Sequence, residues 1–258
     1  MTEHLTIGYS SLTDRVHAID VPSASHGAEV LVITQHRPGT VHTAMPHALA
    51  ARARVDALDS LGVAKSRNRA IDIAGRRYLL FADDDVSIYM SGVTAALDHL
   101  QRTGAALVLG YAVDDHRRTR GRRSTRPHRL TLRNSGRAAT YLMLIDVDKV
   151  RASGVRFDER FGAGMSNYLG DEYIFIADLL RAGLRCDAVP YVFGMHPTHS
   201  SGALWSIGRD LPARAAAIER AWDSRAIVPK AAIAAKNWGK IRSLRGATRF
   251  VINRHPVV

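Results

Sequence analysis

The stretch "RRYLLFADDDV", residues 76–86, passes from two arginines through an apolar run into three consecutive aspartates. A short run of aromatic and aliphatic side chains, here RYLLFAD from Arg77, reads as a strand buried on both faces. Such strands belong to parallel sheets, and in open α/β sheets ligands bind in the crevice at the carboxyl ends of the strands. Asp83, Asp84 and Asp85 therefore fall where a ligand belongs. Adjacent carboxylates repel one another unless a positive partner holds them. A divalent Mg²⁺ or Mn²⁺ is the economical partner, because it takes hard oxygen ligands and bridges carboxylates to substrate phosphates. Taken alone, the triplet also fits a solvated acidic turn ahead of a helix.

Outward from this strand, similar runs recur: LTIGYS from Leu5, EVLVITQ from Glu29, ALVLGYAV from Ala106, YLMLIDV from Tyr141 and AVPYVFGM from Ala188. Segments 64–74, 91–102 and 171–182 carry helical spacing between them. This alternation predicts an α/β fold with a mostly parallel central sheet flanked by helices. From about residue 203 the strand pattern stops and Ala-rich, basic, helical sequence follows, so we divide the chain into 1–202 and a helical extension, 203–258.

The chain has 258 residues, 46% apolar, enough for a sizeable core. No stretch reaches the roughly 18 apolar residues of a membrane-spanning helix. The N-terminus, with Glu3, does not read as a signal peptide. The single cysteine, Cys186, excludes an intrachain disulfide framework and reads as a small buried hydrophobe. These features lead us to expect a cytoplasmic protein. The formal net charge of +12 points to an anionic partner. It is concentrated in two places: eight arginines and no acid between His116 and Arg133, and eight Lys or Arg with no acid after Asp223.

Upstream of the aspartates, "GVAKSRNRAIDIAG", residues 62–75, opens a helix with a Gly-Val-Ala turn, Ser66, Arg67 and Asn68. Such a turn offers backbone N–H groups, a hydroxyl and a guanidinium together, which suits a diphosphate. "GVAKSRNRAIDIAGRRYLLFADDDV" resembles the signature of the family 2 glycosyltransferases of the GT-A fold, in which a Gly-x-x-x-x-Arg-Asn helix leads to a strand ending in Asp-x-Asp. Two further blocks are similar to that family in the right order. "GVRFDERFGAGMSNYLGDEYIFIADLLRAGLR", residues 154–185, looks like its acceptor-side block, and "MHPTHSSG", residues 195–202, like its closing His-containing segment.

The resemblance implies a GT-A, Rossmann-like domain and a metal-dependent, inverting transfer of a sugar from a UDP- or GDP-linked donor to a glycan or lipid-linked acceptor. The product class it suggests is a bacterial-type surface polysaccharide made from the cytoplasmic side. It assigns Asp85 to direct ligation of Mn²⁺ or Mg²⁺ and Asp83 to the ribose or metal-bound water, with Asp84 the middle position of the motif. Ser66, Arg67 and Asn68 would lie against the nucleotide, with Ser10 and Arg15 as further donor contacts. Gln35 ends the second strand where many members carry an acid; its amide can read a base edge. Asp171 and Glu172 open a helix in the reverse of the family's usual Glu-Asp order. Glu172 is assigned as the base that takes the acceptor proton, and Asp171 as an acceptor contact or the alternative base. Gly164 in the preceding loop is assigned to the acceptor, and His196, ahead of His199, to the metal shell.

The arginine-rich segment reads as a surface loop, either a solvated face or a cradle for an anionic acceptor. In the tail, Ala234, Trp238, Ile241 and Leu244 follow helical spacing among Lys236, Lys240 and Arg242. This describes either a basic amphipathic helix on the inner face of an anionic membrane or a helix docked on the core. Two rival readings fit the sequence less well. A metal-dependent nucleotidyltransferase calls for a Gly-rich basic loop after the first strand, which YSSLTDRVH matches poorly. A nucleic-acid-binding protein would use the arginine loop, but the aromatic-interleaved basic motif of an RNA-recognition sheet is missing, so nucleic acid is not an expected partner.

Overall fold

The computed structural model describes residues 2–23, 25, 27–37, 45–119, 124–197 and 205–252. Its strands are β1 (Leu5–Leu12), β2 (Glu29–Gln35), β3 (Ala53–Leu58), β4 (Tyr78–Asp83), β5 (Ser87–Ile88), β6 (Leu107–Val113), β7 (His128–Arg129), β8 (Met143–Asp146) and β9 (Cys186–Met195). The helices are α1 (His47–Ala50), α2 (Val63–Ile73), α3 (Met90–Thr103), α4 (Val147–Ser153), α5 (Asp171–Arg181), α6 (Asp210–Trp222), α7 (Ile227–Lys236), α8 (Trp238–Ile241) and α9 (Leu244–Ile252).

One sheet runs in the order β3-β2-β1-β4-β8-β6-β9-β5, with β7 pairing β9. Strands β3, β2, β1 and β4 are mutually parallel, as are β6 and β9. This is the mostly parallel α/β sheet expected, and its central strands supply the core through Ile7, Leu31, Ile33, Leu79, Phe81, Leu107 and Leu144, all buried.

The short strand β8 opens the site. It lies antiparallel between β4 and β6 but pairs only with Tyr78–Leu80 of the one and Leu107–Leu109 of the other. The carboxyl halves of β4 and β6 therefore part with no strand between them. A single turn at Thr140–Leu142 occupies the base of that gap, and Asp83, Tyr111 and Tyr141 line the cleft above it.

Two departures from the sequence reading have clear causes. Strand β3 was not anticipated because Ala53–Leu58 is an edge strand, exposed or half-exposed throughout, so it lacks the apolar run that marks the others. The single basic tail helix is corrected: α7 ends at Lys236, α8 is one turn, and Arg242 takes a left-handed φ of 46° before α9 begins. Helices α6 to α9 share an apolar cluster built on Leu211, Ala215, Ile218, Ala234, Ile241 and Phe250. Trp238 and Leu244 lie outside it, 48% and 75% exposed.

Candidate active site

Arg67 sits at the centre of the cleft. It leaves the second turn of α2 and is buried among three carboxylates from two other elements. Its Nη1 donates to Oδ2 of Asp171 and lies 3.8 Å from Oε1 of Glu172, while Nη2 is 3.4 Å from Oδ1 of Asp83. Burial works against its charge, but Asp171, Asp83 and Glu172 outweigh that cost and raise its pKa. One guanidinium thus ties the end of β4 to the first turn of α5, two segments some 90 residues apart.

The loop before α5 supports this junction. Gly164, at φ +92°, rests on the backbone of Gly62, where a Cβ would lie 3.2 Å from Gly62 Cα. The Val63 N–H donates to the Ala163 carbonyl at 2.9 Å. Gly164, expected at the acceptor, packs against Gly62, and its neighbour Ala163 lines the cavity.

Asp171 and Glu172 are adjacent but face different surroundings. Asp171 is 2% exposed and spent on Arg67. The Glu172 carboxylate is 21% exposed, lines the cavity and accepts a hydrogen bond from the Thr140 hydroxyl at 3.1 Å. Burial, then the neighbouring Asp171 charge, raise its pKa from 4.5 to about 8, against the pull of Arg67. Near neutral pH it is matched to taking a proton from a hydroxyl.

The three aspartates separate in the same way. Asp83 faces Arg67 and the cavity, and burial raises its pKa despite that guanidinium. Asp84 turns the other way: Oδ2 accepts from Ser11 at 2.8 Å and Oδ1 meets Arg15 Nη2 at 2.6 Å. Both oxygens of Asp84, expected at the donor, are engaged within the protein, so Asp84 fastens the strand end to β1. Arg15 also lies 3.6 Å from Asp85. Two arginines, Arg67 and Arg15, thus offset the repulsion within the triplet.

Asp85 faces His196, with 3.6 Å between Oδ1 and Nε2. The His196 ring stacks on Tyr141 at 4.7 Å, and its Nδ1 is 2.7 Å from the Pro197 carbonyl, which makes Nδ1 the donor. Its other nitrogen, Nε2, faces the Asp85 carboxylate, an arrangement that a bound cation suits. Among the described residues no group of three His, Cys, Asp or Glu converges as a metal cage, so Asp83, Asp85 and His196 do not form a closed ligand set. The Asp85 and His196 pair nevertheless fits the open kind of site in which Mg²⁺ or Mn²⁺ takes its remaining ligands from a diphosphate and water.

Four other residues read from sequence, Ser10, Gln35, Ser66 and Asn68, do not line that cavity. Ser66 Oγ contacts Ser10 Oγ and the Val63 carbonyl, both at 2.9 Å. Asn68, expected against the nucleotide, ties α2 to the segment around Phe157. Its amide group donates to Phe157 O at 3.0 Å and Glu159 Oε1 at 3.1 Å, and its oxygen accepts from Phe157 N at 2.8 Å. Gln35 is buried and donates to the Ser60 carbonyl at 2.8 Å. His199 lies outside the described residues, as does part of the arginine-rich loop, 120–123. Thr140, Tyr141 and Arg137 were missed. Nothing in their local sequence marks them, because their partners are 26 to 55 residues away: Tyr111 for Arg137, Glu172 for Thr140 and His196 for Tyr141.

A parted parallel sheet with carboxylates at its strand ends, facing an acidic pair across a buried arginine, defines a group-transfer enzyme of the GT-A type. Residues 36–156 match the family model "Glycosyl transferase family 2", so a little under half of the chain is similar to that family, and the activity supported is that of a glycosyltransferase. The match includes Arg67 and the aspartates; Asp171, Glu172 and His196 lie beyond it. Among solved structures, Staphylococcus aureus TarS 1–349 is similar with a TM-score of 0.58 at 12% identity, over 96% of this chain and 81% of that one. TarS 1–349 in complex with UDP gives 0.57 at 14% identity, over 91% and 72%. The complex with UDP-GlcNAc gives 0.57 at 14%, over 92% and 73%. At these identities the likeness establishes the fold. No curated protein sequence matches the chain significantly.

Proposed function

We propose that the enzyme transfers a sugar, with inversion, from a nucleoside-diphosphate sugar to a hydroxyl of a glycan or lipid-linked acceptor in bacterial-type surface polysaccharide synthesis. The observation that carries this reading is the Arg67 bridge, which brings Asp83 and Glu172 to one cavity of about 980 Å³. Glu172 takes the proton from the acceptor hydroxyl as its oxygen bonds to the anomeric carbon. The bond from that carbon to the diphosphate breaks on the opposite side, and the nucleoside diphosphate leaves with the electron pair. Arg67 holds Asp171 and Asp83 in place, so that the base and the donor end keep their spacing. Asp85 and His196 would hold Mg²⁺ or Mn²⁺, which when bound supplies Lewis-acid stabilisation of the leaving phosphates. That TarS was solved with UDP and with UDP-GlcNAc supports a uridine-linked donor as the first to test.

The exposed Trp238 and Leu244, set among Lys236, Lys240 and Arg242, support a peripheral position on the inner face of an anionic membrane. Calorimetric titration with UDP, GDP, CDP and dTDP, each with and without Mn²⁺, tests the donor assignment. Metal-dependent binding of one diphosphate that Asp85→Ala abolishes is the expected result, and no binding of any would overturn it.

A further inference from the structure

The cavity extends past Glu172 to a wall that the catalytic residues do not use. Helices α6 and α7 supply Ile218, Trp222, Val228, Pro229 and Ile233 to that wall, which is apolar. Val228 is 71% exposed, so the apolar wall reaches the surface. Three arginines, Arg133, Arg137 and Arg214, line the same space.

Arg137 is the most distinctive of them. Its guanidinium carbon lies 4.0 Å from the ring centroid of Tyr111, a side chain buried at the carboxyl end of β6. Its Nη2 is buried with no hydrogen-bond partner among the described residues, and no carboxylate there lies within ion-pair distance of it. A fixed guanidinium with an unused buried donor is costly unless something occupies it. Arg137 also precedes by three residues Thr140, whose hydroxyl holds Glu172.

We propose that Arg137, stacked on Tyr111, is a phosphate-binding subsite for the acceptor, whose apolar portion lies along the wall formed by α6 and α7. As an acceptor subsite this rests on the transferase reading above, and it narrows the acceptor to a phosphate-bearing amphiphile. Guanidinium pairs with phosphate through two parallel N–H bonds, and the Tyr111 face pre-orients the fork.

The test compares n-octyl phosphate with n-octanol, both below micelle formation, by calorimetry on wild type, Arg137→Gln and Arg137→Lys, with UDP binding measured on each. Wild type is expected to prefer the phosphate by about tenfold or more, the loss of one charge-assisted pair. Arg137→Gln is expected to lose that preference while keeping its UDP affinity, and Arg137→Lys to keep part of it. A preference that survives in Arg137→Gln, or its absence in wild type, overturns the subsite. Should Arg137→Gln fail to fold, full retention of the preference in Arg137→Lys does the same, because a point charge cannot replace the fork. If UDP fails to bind while octyl phosphate binds through Arg137, the donor reading falls and the anion site stands. Co-sedimentation with phosphatidylcholine vesicles, with and without phosphatidic acid, distinguishes the sources. Arg137-dependent capture only by the acidic vesicles indicates a lipid-borne phosphate, and Arg137-dependent binding only of octyl phosphate indicates a soluble one.

Discussion

The Thr140 hydroxyl donates to Oε1 of Glu172 at 3.1 Å, so a one-turn segment filling the gap beside β8 steadies a carboxylate that lines the cavity. A donor to a carboxylate favours its charged form, whereas burial and Asp171 favour the neutral one and hold the pKa at about 8. The rate of transfer is therefore expected to rise with pH and level off above about 8. Thr140→Val should move that rise to higher pH by up to roughly one unit, the worth of one hydrogen bond. Glu172→Gln should lower kcat by about 10²–10⁴-fold and remove the rise altogether. A pH profile of kcat for the three proteins checks this, and an unshifted profile in Thr140→Val would show that the hydrogen bond does not tune the base.

The same group affects stability with a definite sign. Glu172 titrates near 4.5 when unfolded and near 8 when folded, so between these values the folded state binds more protons. Its stabilising contribution is complete below the lower value and is lost as pH rises through the higher one. Glutamine mimics the protonated acid at every pH. Thermal unfolding of Glu172→Gln should therefore match wild type at acid pH and exceed it above about 8. Equal midpoints at both ends of the range would mean that the carboxylate is not desolvated in the folded protein.

How far the site could be read in advance depended on the distance over which its contacts act. Strands β1, β2, β4, β6 and β9 were visible because their cores are continuous apolar runs, and α2, α3 and α5 because their apolar positions repeat at helical spacing. The family match over 36–156 and the GT-A sheet followed from those runs and from the motif that ends β4. Asp83, Arg67 and Glu172 were found through that resemblance, and the structure brings them together. What the sequence could not show was orientation. Asp83 and Asp84 are neighbours on a strand end, where successive side chains take opposite faces, so one enters the cavity and the other is spent on Ser11 and Arg15. The three hydrogen bonds of Asn68 likewise end on residues about 90 positions later, beyond any local pattern.

Asp84 and Asp85, side by side, should separate cleanly under mutation. Asp84→Ala leaves Arg15 and Ser11 without their shared partner and is expected to cost on the order of 1–3 kcal/mol of stability. Asp85→Ala, whose carboxylate is 37% exposed, should change stability little and abolish the Mn²⁺-dependent part of nucleotide binding. His196→Ala should weaken the same part without abolishing it. Denaturant unfolding and calorimetry on each variant give the comparison, and metal-dependent binding that persists in Asp85→Ala would remove Asp85 from the metal site.

Arg67→Met provides the strictest test of the central bridge. The side chain fits by volume, but Asp171 and Asp83 are left buried without their cation, and breaking a buried pair from one side costs about 3–5 kcal/mol. The loss should depend on pH. Without Arg67 the pKa of Asp83, already raised by burial, rises further, so its folded value lies still further above the unfolded one. The variant therefore gains stability relative to wild type as pH falls and Asp83 becomes neutral. Urea unfolding at pH 8 and again at pH 5 should show a large deficit at the higher pH and a smaller one at the lower. A deficit equal at both would place the cost in packing against Phe157, whose ring lies 5.8 Å from the guanidinium carbon, instead of in charge.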